Sequence, residues 1–234
     1  MHLFYQPQFK ALSALTNDEA FHAAKVLRLR EGERIGVTDG TGNWFEAIVQ
    51  KTDPKQCLVR ILQQTTITPR SYGIELVVAP TKNLDRIEWL VEKAVEMGIN
   101  QFSFVYTNHS ERRTIKLERL QKIAISAMKQ SLQAYLPTLT EVGDLKNYLP
   151  RIKAQQRFVA HLPENSTPLH LFRAAQPRQT YAVLIGPEGD FAEQELTMAL
   201  DSGFEMVTLG NTRLRTETAA LVACQVLHTL NIEY

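Results

Sequence analysis

Cysteine is nearly absent from the 234-residue chain. Cys57 and Cys224 are far apart, lie in apolar patterns and form no Cys-x-x-Cys pair. That argues against a disulfide framework, and a reduced, cytosolic setting is the simplest reading. The six histidines are scattered without ligand spacing, so no metal site is expected. No stretch approaches the ~18 consecutive apolar residues of a membrane span. Residues 1–7 lack a charged region followed by an apolar core, so a secretory signal is not expected. Charge of one sign is also missing, because 26 basic residues face 25 acidic ones for a net +1. A nucleic-acid partner would therefore need clustered basic residues. Internal repeats, low-complexity tracts and heptad arrays are absent.

What is present is a core-forming composition, 44% hydrophobic, at a length that suits one large or two small domains. One stretch organises the reading. Residues 181–185 form a short apolar run of strand character that ends at Gly186-Pro187. A helix pattern follows, with Asp190 as its expected cap and Glu193 three residues on, as in a capping box. The same grammar returns at Met206-Val207-Thr208-Leu209-Gly210, a strand ending in glycine. A polar loop then leads to a helix opened by Thr216-Glu217-Thr218. That helix is apolar on nearly every side, so burial all round is expected. Two glycine loops after neighbouring strands suit a ligand crevice at the carboxyl ends of a parallel sheet.

The loop chemistry narrows the ligand. A phosphate cradle uses backbone N–H groups and often a lysine, but the first loop carries Glu188 and Asp190 and no basic residue. Carboxylates repel phosphate and favour a ligand with positive charge, hydroxyls and amines. S-adenosylmethionine, with its sulfonium, ammonium, ribose and adenine, has that chemistry. One Gly-Pro-Glu-Gly alone reads more simply as a strand-to-helix turn. Two matched loops favour a site.

The rest of the chain reads in order. Residues 1–68 are a small β-rich domain with one short helix starting at Thr16-Asn17-Asp18-Glu19. Asp39-Gly40 marks a hairpin, and the close strand spacing suggests a small barrel, an architecture that often binds nucleic acid. Residues 65–70, polar and ending near Pro69, are the linker candidate. From residue 74 to 234 strands alternate with helical patterns, which indicates a mostly parallel sheet. A strand over residues 74–78 precedes a helix over 83–97 closed by Gly98. A strand at 102–106 precedes a helix over 116–135. A turn at Asn165-Ser166-Thr167-Pro168 separates a short strand at 158–160 from a short helix at 169–175. On the 116–135 helix, Arg119, Lys122, Ser126, Lys129 and Gln133 form a polar, mainly basic stripe. Alone it reads as a solvated face, but Arg112, Arg113 and Lys116 upstream make an RNA-facing patch credible.

Ile185-Gly186-Pro187-Glu188-Gly189, Leu209-Gly210 and Leu214-Arg215-Thr216-Glu217-Thr218-Ala219 resemble the signature of the RsmE-type ribosomal RNA uridine-N3 methyltransferases of the SPOUT superfamily. His22 with Val26-Leu27-Arg28-Leu29-Arg30, Lys82 with the Glu96-Met97-Gly98 helix end, Ser110-Glu111-Arg112, and Gln130-Ser131 with Pro137 are similar to further family patterns, so the likeness extends over almost the whole chain. It implies an α/β fold, in which a PUA-like β-barrel RNA-binding domain precedes a SPOUT domain with a deep trefoil knot. It also implies a homodimer that binds S-adenosylmethionine and methylates N3 of a uridine in 16S ribosomal RNA.

On that resemblance the cofactor-binding residues are Leu184, Ile185, Gly186, Pro187, Glu188, Gly189, Leu209, Gly210, Leu214, Arg215, Thr218 and Ala219. Arg215 and Glu217 are the catalytic candidates. Lys25, Arg28, Arg30, Arg112, Arg119 and Lys122 are the RNA-binding candidates. For Lys25, Arg28 and Arg30, phosphate contact and a solvated cationic helix end remain equally open. His22 alone reads as a packed or capping side chain. Met97 stands where leucine is usual, Gln133 or Ala134 where an arginine is usual, and Asp190 where a second glycine is usual. If that last position requires positive φ, aspartate adopts it at some cost. Two rivals differ in class. An RNA-binding module with a degenerate methyltransferase domain is disfavoured by the intact loops. A nucleotide-dependent oxidoreductase would need Gly-x-Gly-x-x-Gly after residues 77–78, where Ala79-Pro80-Thr81-Lys82 stands.

Overall fold

Short alternating strands with glycine turns build the first part of the chain. The computed structural model describes residues 1–163 and 167–232. It divides into two units, Met1–Pro69 with Ile125–Leu136, and Arg70–Ala124 with Pro137–Tyr234. In the first unit the elements are β1 (Leu3–Tyr5), α1 (Phe9–Leu12), β2 (Ala14–Thr16), α2 (Asn17–Phe21) continued by a π-turn over His22–Val26, β3 (Arg34–Thr38), β4 (Asn43–Lys51) and β5 (Gln56–Thr66). The sheet order is β1-β3-β4-β5-β2, with β1 parallel to β3 and the other pairs antiparallel. One face of every strand lines a single core through Phe4, Leu15, Val37, Phe45 and Cys57. Two register shifts in the β4–β5 ladder add the local twist that lets the sheet curl round that core. The expected small barrel is thus a curled sheet, in which β1 and β2 are not paired with each other among the described residues.

The second unit comprises β6 (Gly73–Val78), α3 (Leu84–Met97), β7 (Gln101–Tyr106), α4 (Leu117–Gln130), β8 (Thr138–Asp144), α5 (Leu145–Tyr148), β9 (Gln156–Ala160), α6 (Leu171–Ala174), β10 (Thr180–Ile185), α7 (Glu193–Asp201), β11 (Glu205–Val207) and α8 (Thr216–Leu230), apart from the second half of α4. The sheet is wholly parallel, in the order β11-β9-β10-β6-β7-β8. Strands buried on both faces read as continuous apolar runs, as at residues 181–185. Val77, Ala182 and Leu184 face a core shared with α5 and α7. α3 and α8 pack together, and α8 lies against β6 and β10. The Tyr72 hydroxyl is 2.8 Å from His228 Nδ1 on α8, and burial holds that imidazole down to about 4, so the ring is neutral at pH 7.

Several expectations change. The helix expected over 116–135 ends at Gln130, and Leu132 turns the chain with φ 55°. Residues 125–136, expected in the second domain, belong to the first unit. There Thr38 Oγ1 donates to the Ala134 carbonyl at 3.0 Å, and the Tyr135 hydroxyl donates to the Ile67 carbonyl at 2.7 Å. These partners lie 96 and 68 positions apart, so no local pattern announces them. α8 is not buried all round. Ala220, Leu221, Ala223, Cys224 and Leu227 are buried, whereas Ala219, Val222 and Val226 are half-buried and Gln225 is exposed. The cap of α7 is Ala192, whose N–H donates to Glu195 Oε2 at 2.9 Å, so Asp190 and Glu193 do not form the expected box. The turn expected at Asn165-Ser166-Thr167-Pro168 falls in part outside the described residues.

Candidate functional site

The sheet order reverses between β6 and β10, the place where a crevice is expected outside the carboxyl ends of the strands. The two glycine loops do not leave neighbouring strands as expected, because β9 pairs with both β10 and β11 and separates them. After β10, Pro187 is buried and Glu188 and Gly189 are exposed. The Asp190 N–H closes a turn on the Pro187 carbonyl at 3.0 Å. Asp190 has φ 61°, so the position does take the left-handed conformation in which glycine is favoured. Its Oδ1 accepts from the Phe191 N–H at 2.8 Å, and His109 Nδ1 donates to its carbonyl at 3.0 Å. His161 Nδ1 is 3.0 Å from Asp190 Oδ2, a contact of ion-pair length without hydrogen-bond alignment. A side chain at Gly186 would start 3.1 Å from the Phe191 ring, and one at Gly189 would start 3.2 Å from His109 Cβ.

Leu184 and Ile185 are the buried end of β10. In the second loop Thr208 Oγ1 donates to the Gly210 carbonyl at 2.7 Å. Gly210 has φ 137°, and the space where its Cβ would stand is open to at least 4 Å. Leu209, Gly210 and Leu214 are half-buried, and Arg215 is the exposed cap residue of α8. Thr216 Oγ1 donates to the Gly186 carbonyl at 2.9 Å, which ties the start of α8 to the first loop. Thr218 and Ala219 follow, half-buried.

The loop after β6 completes the crevice. The Lys82 N–H donates to Glu188 Oε1 at 3.3 Å, and Lys82 Nζ is 2.8 Å from Glu111 Oε2. Arg86, in the first turn of α3, has Nη1 4.0 Å from Glu188 Oε1 and Nε 3.9 Å from Glu217 Oε1. Glu217 is 7% exposed, and its Oε2 has no hydrogen-bond partner. Loops 79–83 and 186–190 and the start of α8 therefore meet through named contacts. Arg86 is not among the site residues expected from the sequence. One signal was available, since a cation in the first turn of a helix opposes the dipole and implies compensating carboxylates.

The RNA-binding candidates divide by environment. Lys25, Arg28 and Arg30 are exposed in the first unit, with Arg28 at φ 54°. Lys122 is exposed in the second unit. Arg112 Nε donates to the Lys82 carbonyl at 3.2 Å, so it braces the crevice. Arg119 forms a two-point contact with Glu88, with Nε at 2.5 Å from Oε1 and Nη2 at 2.7 Å from Oε2. Lys129 is 2.6 Å from Glu19 and mostly buried. The helical stripe is therefore partly neutralised by partners that its spacing did not reveal. Among the described residues no cluster of three or more His, Cys, Asp or Glu is arranged to hold a metal, and no helix is long and apolar enough to cross a membrane. A separate cleft of about 390 Å³ opens at the amino ends of the strands, lined by Glu75, Gln101, Tyr148, Arg151 and Thr180.

Comparison with known proteins agrees along the whole chain. Residues 68–228 match the RNA methyltransferase domain family, and residues 15–62 match the RNA methyltransferase PUA domain. The chain is 32% identical to the ribosomal RNA small subunit methyltransferase E of Mycobacterium bovis over 233 residues, covering 94% of this chain and 88% of that protein. A probable rRNA-methyltransferase from Porphyromonas gingivalis, known as a crystal structure, superimposes with a TM-score of 0.91 at 42% identity, covering 99% of this chain and 98% of that one. The ribosomal RNA small subunit methyltransferase E of Neisseria gonorrhoeae, crystallised bound to S-adenosyl methionine, gives a TM-score of 0.86 at 27% identity, with 99% and 98% covered. With its PUA unit, its parallel sheet and its loops at the carboxyl edge, this chain belongs to the ribosomal RNA small subunit methyltransferase E family.

Proposed function

We propose that this protein uses S-adenosylmethionine to methylate N3 of a uridine in 16S ribosomal RNA. The observation that carries the reading is the meeting of three chain segments, loops 79–83 and 186–190 and the start of α8, with Glu188 and Glu217 on either side of Arg86. The residues fit the cofactor. Glu188, Asp190 and Glu217 suit positive charge and N–H or O–H donors, and Glu217 Oε2 is a buried acceptor still without a donor. Leu184, Ile185, Gly186, Pro187, Glu188 and Gly189 would form one wall, and Leu209, Gly210, Leu214, Arg215, Thr218 and Ala219 the other. When bound, S-adenosylmethionine supplies an electrophilic methyl group.

The chain's own task is to position the base and to deal with the N3 proton. Displacement is in line, so orientation supplies much of the rate. Arg215 is exposed at the cap of α8 with no ion pair to Glu188 or Glu217, and both of those carboxylates face Arg86 instead. That leaves its guanidinium available for the carbonyl oxygens of a uracil becoming anionic at N3. Glu217 is the candidate acceptor.

The wider assignment follows the same reading. Residues 1–68, joined by 125–136, act as the PUA-like RNA-binding domain, and the rest of 74–234 acts as the SPOUT domain. Lys25, Arg28, Arg30 and Lys122 contact phosphate, and Arg112 and Arg119 join them by exchanging their present partners. β11 lies at the far sheet edge while α8 returns to β6 and β10, a path that supports a trefoil knot. The half-buried apolar stripe of α8 supports a homodimer, and ribosomal RNA as substrate supports a cytoplasmic location. Titration calorimetry with S-adenosylmethionine, followed by mass spectrometry of 16S RNA incubated with protein and cofactor, tests the core of the proposal. Saturable binding and one new methyl on a uridine are expected. Absence of binding, or a methyl on another base, overturns it.

A further inference from the structure

Arg86 occupies an unfavourable place unless something compensates it. It is the third residue of α3, where the helix dipole disfavours a cation. Its guanidinium, about one-third exposed, stands between Glu188 on the β10 loop and Glu217 on α8, at 4.0 and 3.9 Å. Both distances are ion-pair contacts beyond hydrogen-bond length, so the attraction is that of a charge and not of a fitted fork. Glu217 is the more dependent partner. Its side chain is 9% exposed, its Oε2 has no donor, and among the described residues Arg86 is the cation within 4.0 Å of it. A buried carboxylate stripped of its compensating charge is strongly destabilised.

We infer that Arg86 is a positioning residue that holds the Glu217 carboxylate in the crevice and, through Glu188, draws the β10 loop towards α8. Its effect passes through Glu217, whose Oε2 is then presented to an N–H or O–H donor of the bound molecule. The inference rests on the reading of these loops as the cofactor and substrate site. It adds α3 as a third wall and assigns a role to a side chain outside the two glycine loops.

A double-mutant cycle tests it. Arg86→Ala, Arg86→Lys, Glu217→Gln and the Arg86→Ala/Glu217→Gln pair are compared by S-adenosylmethionine calorimetry, single-turnover methylation and thermal unfolding without ligand. Arg86→Ala is expected to lose roughly tenfold in cofactor affinity or in the chemical step. In the Glu217→Gln background the same change should cost less than about twofold, because no buried charge remains to hold. Arg86→Lys keeps the charge at a site that makes no hydrogen bond, so it should recover most of the loss. Equal losses in both backgrounds, or a lysine variant as impaired as the alanine one, overturn the assignment. If Arg86→Ala does not fold, the lysine and double variants still decide. A parent protein with no affinity for S-adenosylmethionine would overturn the cofactor reading alone. The unfolding midpoints would then carry the cycle, with a smaller Arg86→Ala drop expected in the Glu217→Gln background.

Discussion

Asp190 shows how much one side chain can do for a loop. A non-glycine residue at φ 61° is strained by about 1–2 kcal/mol unless its side chain bonds locally. Asp190 does so through the Phe191 N–H, and it is flanked by His109 and His161 from two other loops. Asp190→Gly and Asp190→Asn should therefore unfold within about 1 kcal/mol of the parent, since glycine accepts the backbone and asparagine keeps the local acceptor. Asp190→Ala should lose about 1–2 kcal/mol in denaturant melts. An alanine variant as stable as the glycine one would contradict this account. The sequence raised positive φ only as a condition, through the resemblance that puts a glycine at this place, and the structure meets that condition. The two histidine contacts were not legible, because they bridge 81 and 29 positions of sequence.

α3 is the element most nearly readable in advance. Its apolar spacing and the closing Gly98 predict a helix over 83–97, and the structure has Leu84–Met97 with Asn83 as its cap. The Asn83 side chain accepts from the Asp85 N–H at 2.9 Å, and Gly98 ends the helix at φ 90°. Asn83→Ala should cost about 1 kcal/mol of unfolding free energy. The first turn carries Arg86, so the same variant should also weaken S-adenosylmethionine binding by a few-fold. Calorimetry showing full affinity in the destabilised variant would separate the cap from the site. α7 makes the contrast. Asp190 and Glu193 carry the right residue types for a capping box, yet Glu195 receives the Ala192 N–H because the loop turns later than its composition suggests. β8 was missed altogether, since Thr138–Asp144 mixes polar and apolar residues at an edge that one neighbour supports.

For the molecule as a whole, the exposed side of α8 bears on assembly. Ala219, Val222 and Val226 form a half-buried apolar stripe, and Trp89 on α3 is 47% exposed. A stable homodimer interface buries upwards of about 1,000 Å² and places aromatic and aliphatic side chains at its centre. Light scattering at micromolar concentration should give twice the 26.6 kDa chain mass. A Val222→Glu/Val226→Glu variant should shift the species towards monomer, because it would set charges inside the proposed interface. A monomeric parent would remove the dimer from the proposal.

The sequence by itself determined the local grammar of this protein. It specified most of the buried strands, the extent of α3 to within a residue, and the two glycine-bearing loops that follow β10 and β11. These follow from backbone preference and hydrophobic period, which act over a few residues. Tertiary structure alone decided the partners. It joined residues 125–136 to the first unit, engaged Arg119 and Lys129 with Glu88 and Glu19, and set Arg86 between Glu188 and Glu217. Such contacts depend on strand order and on which loops share one edge of the sheet. A charge finds its counter-charge through space, and spacing along the chain carries no record of it.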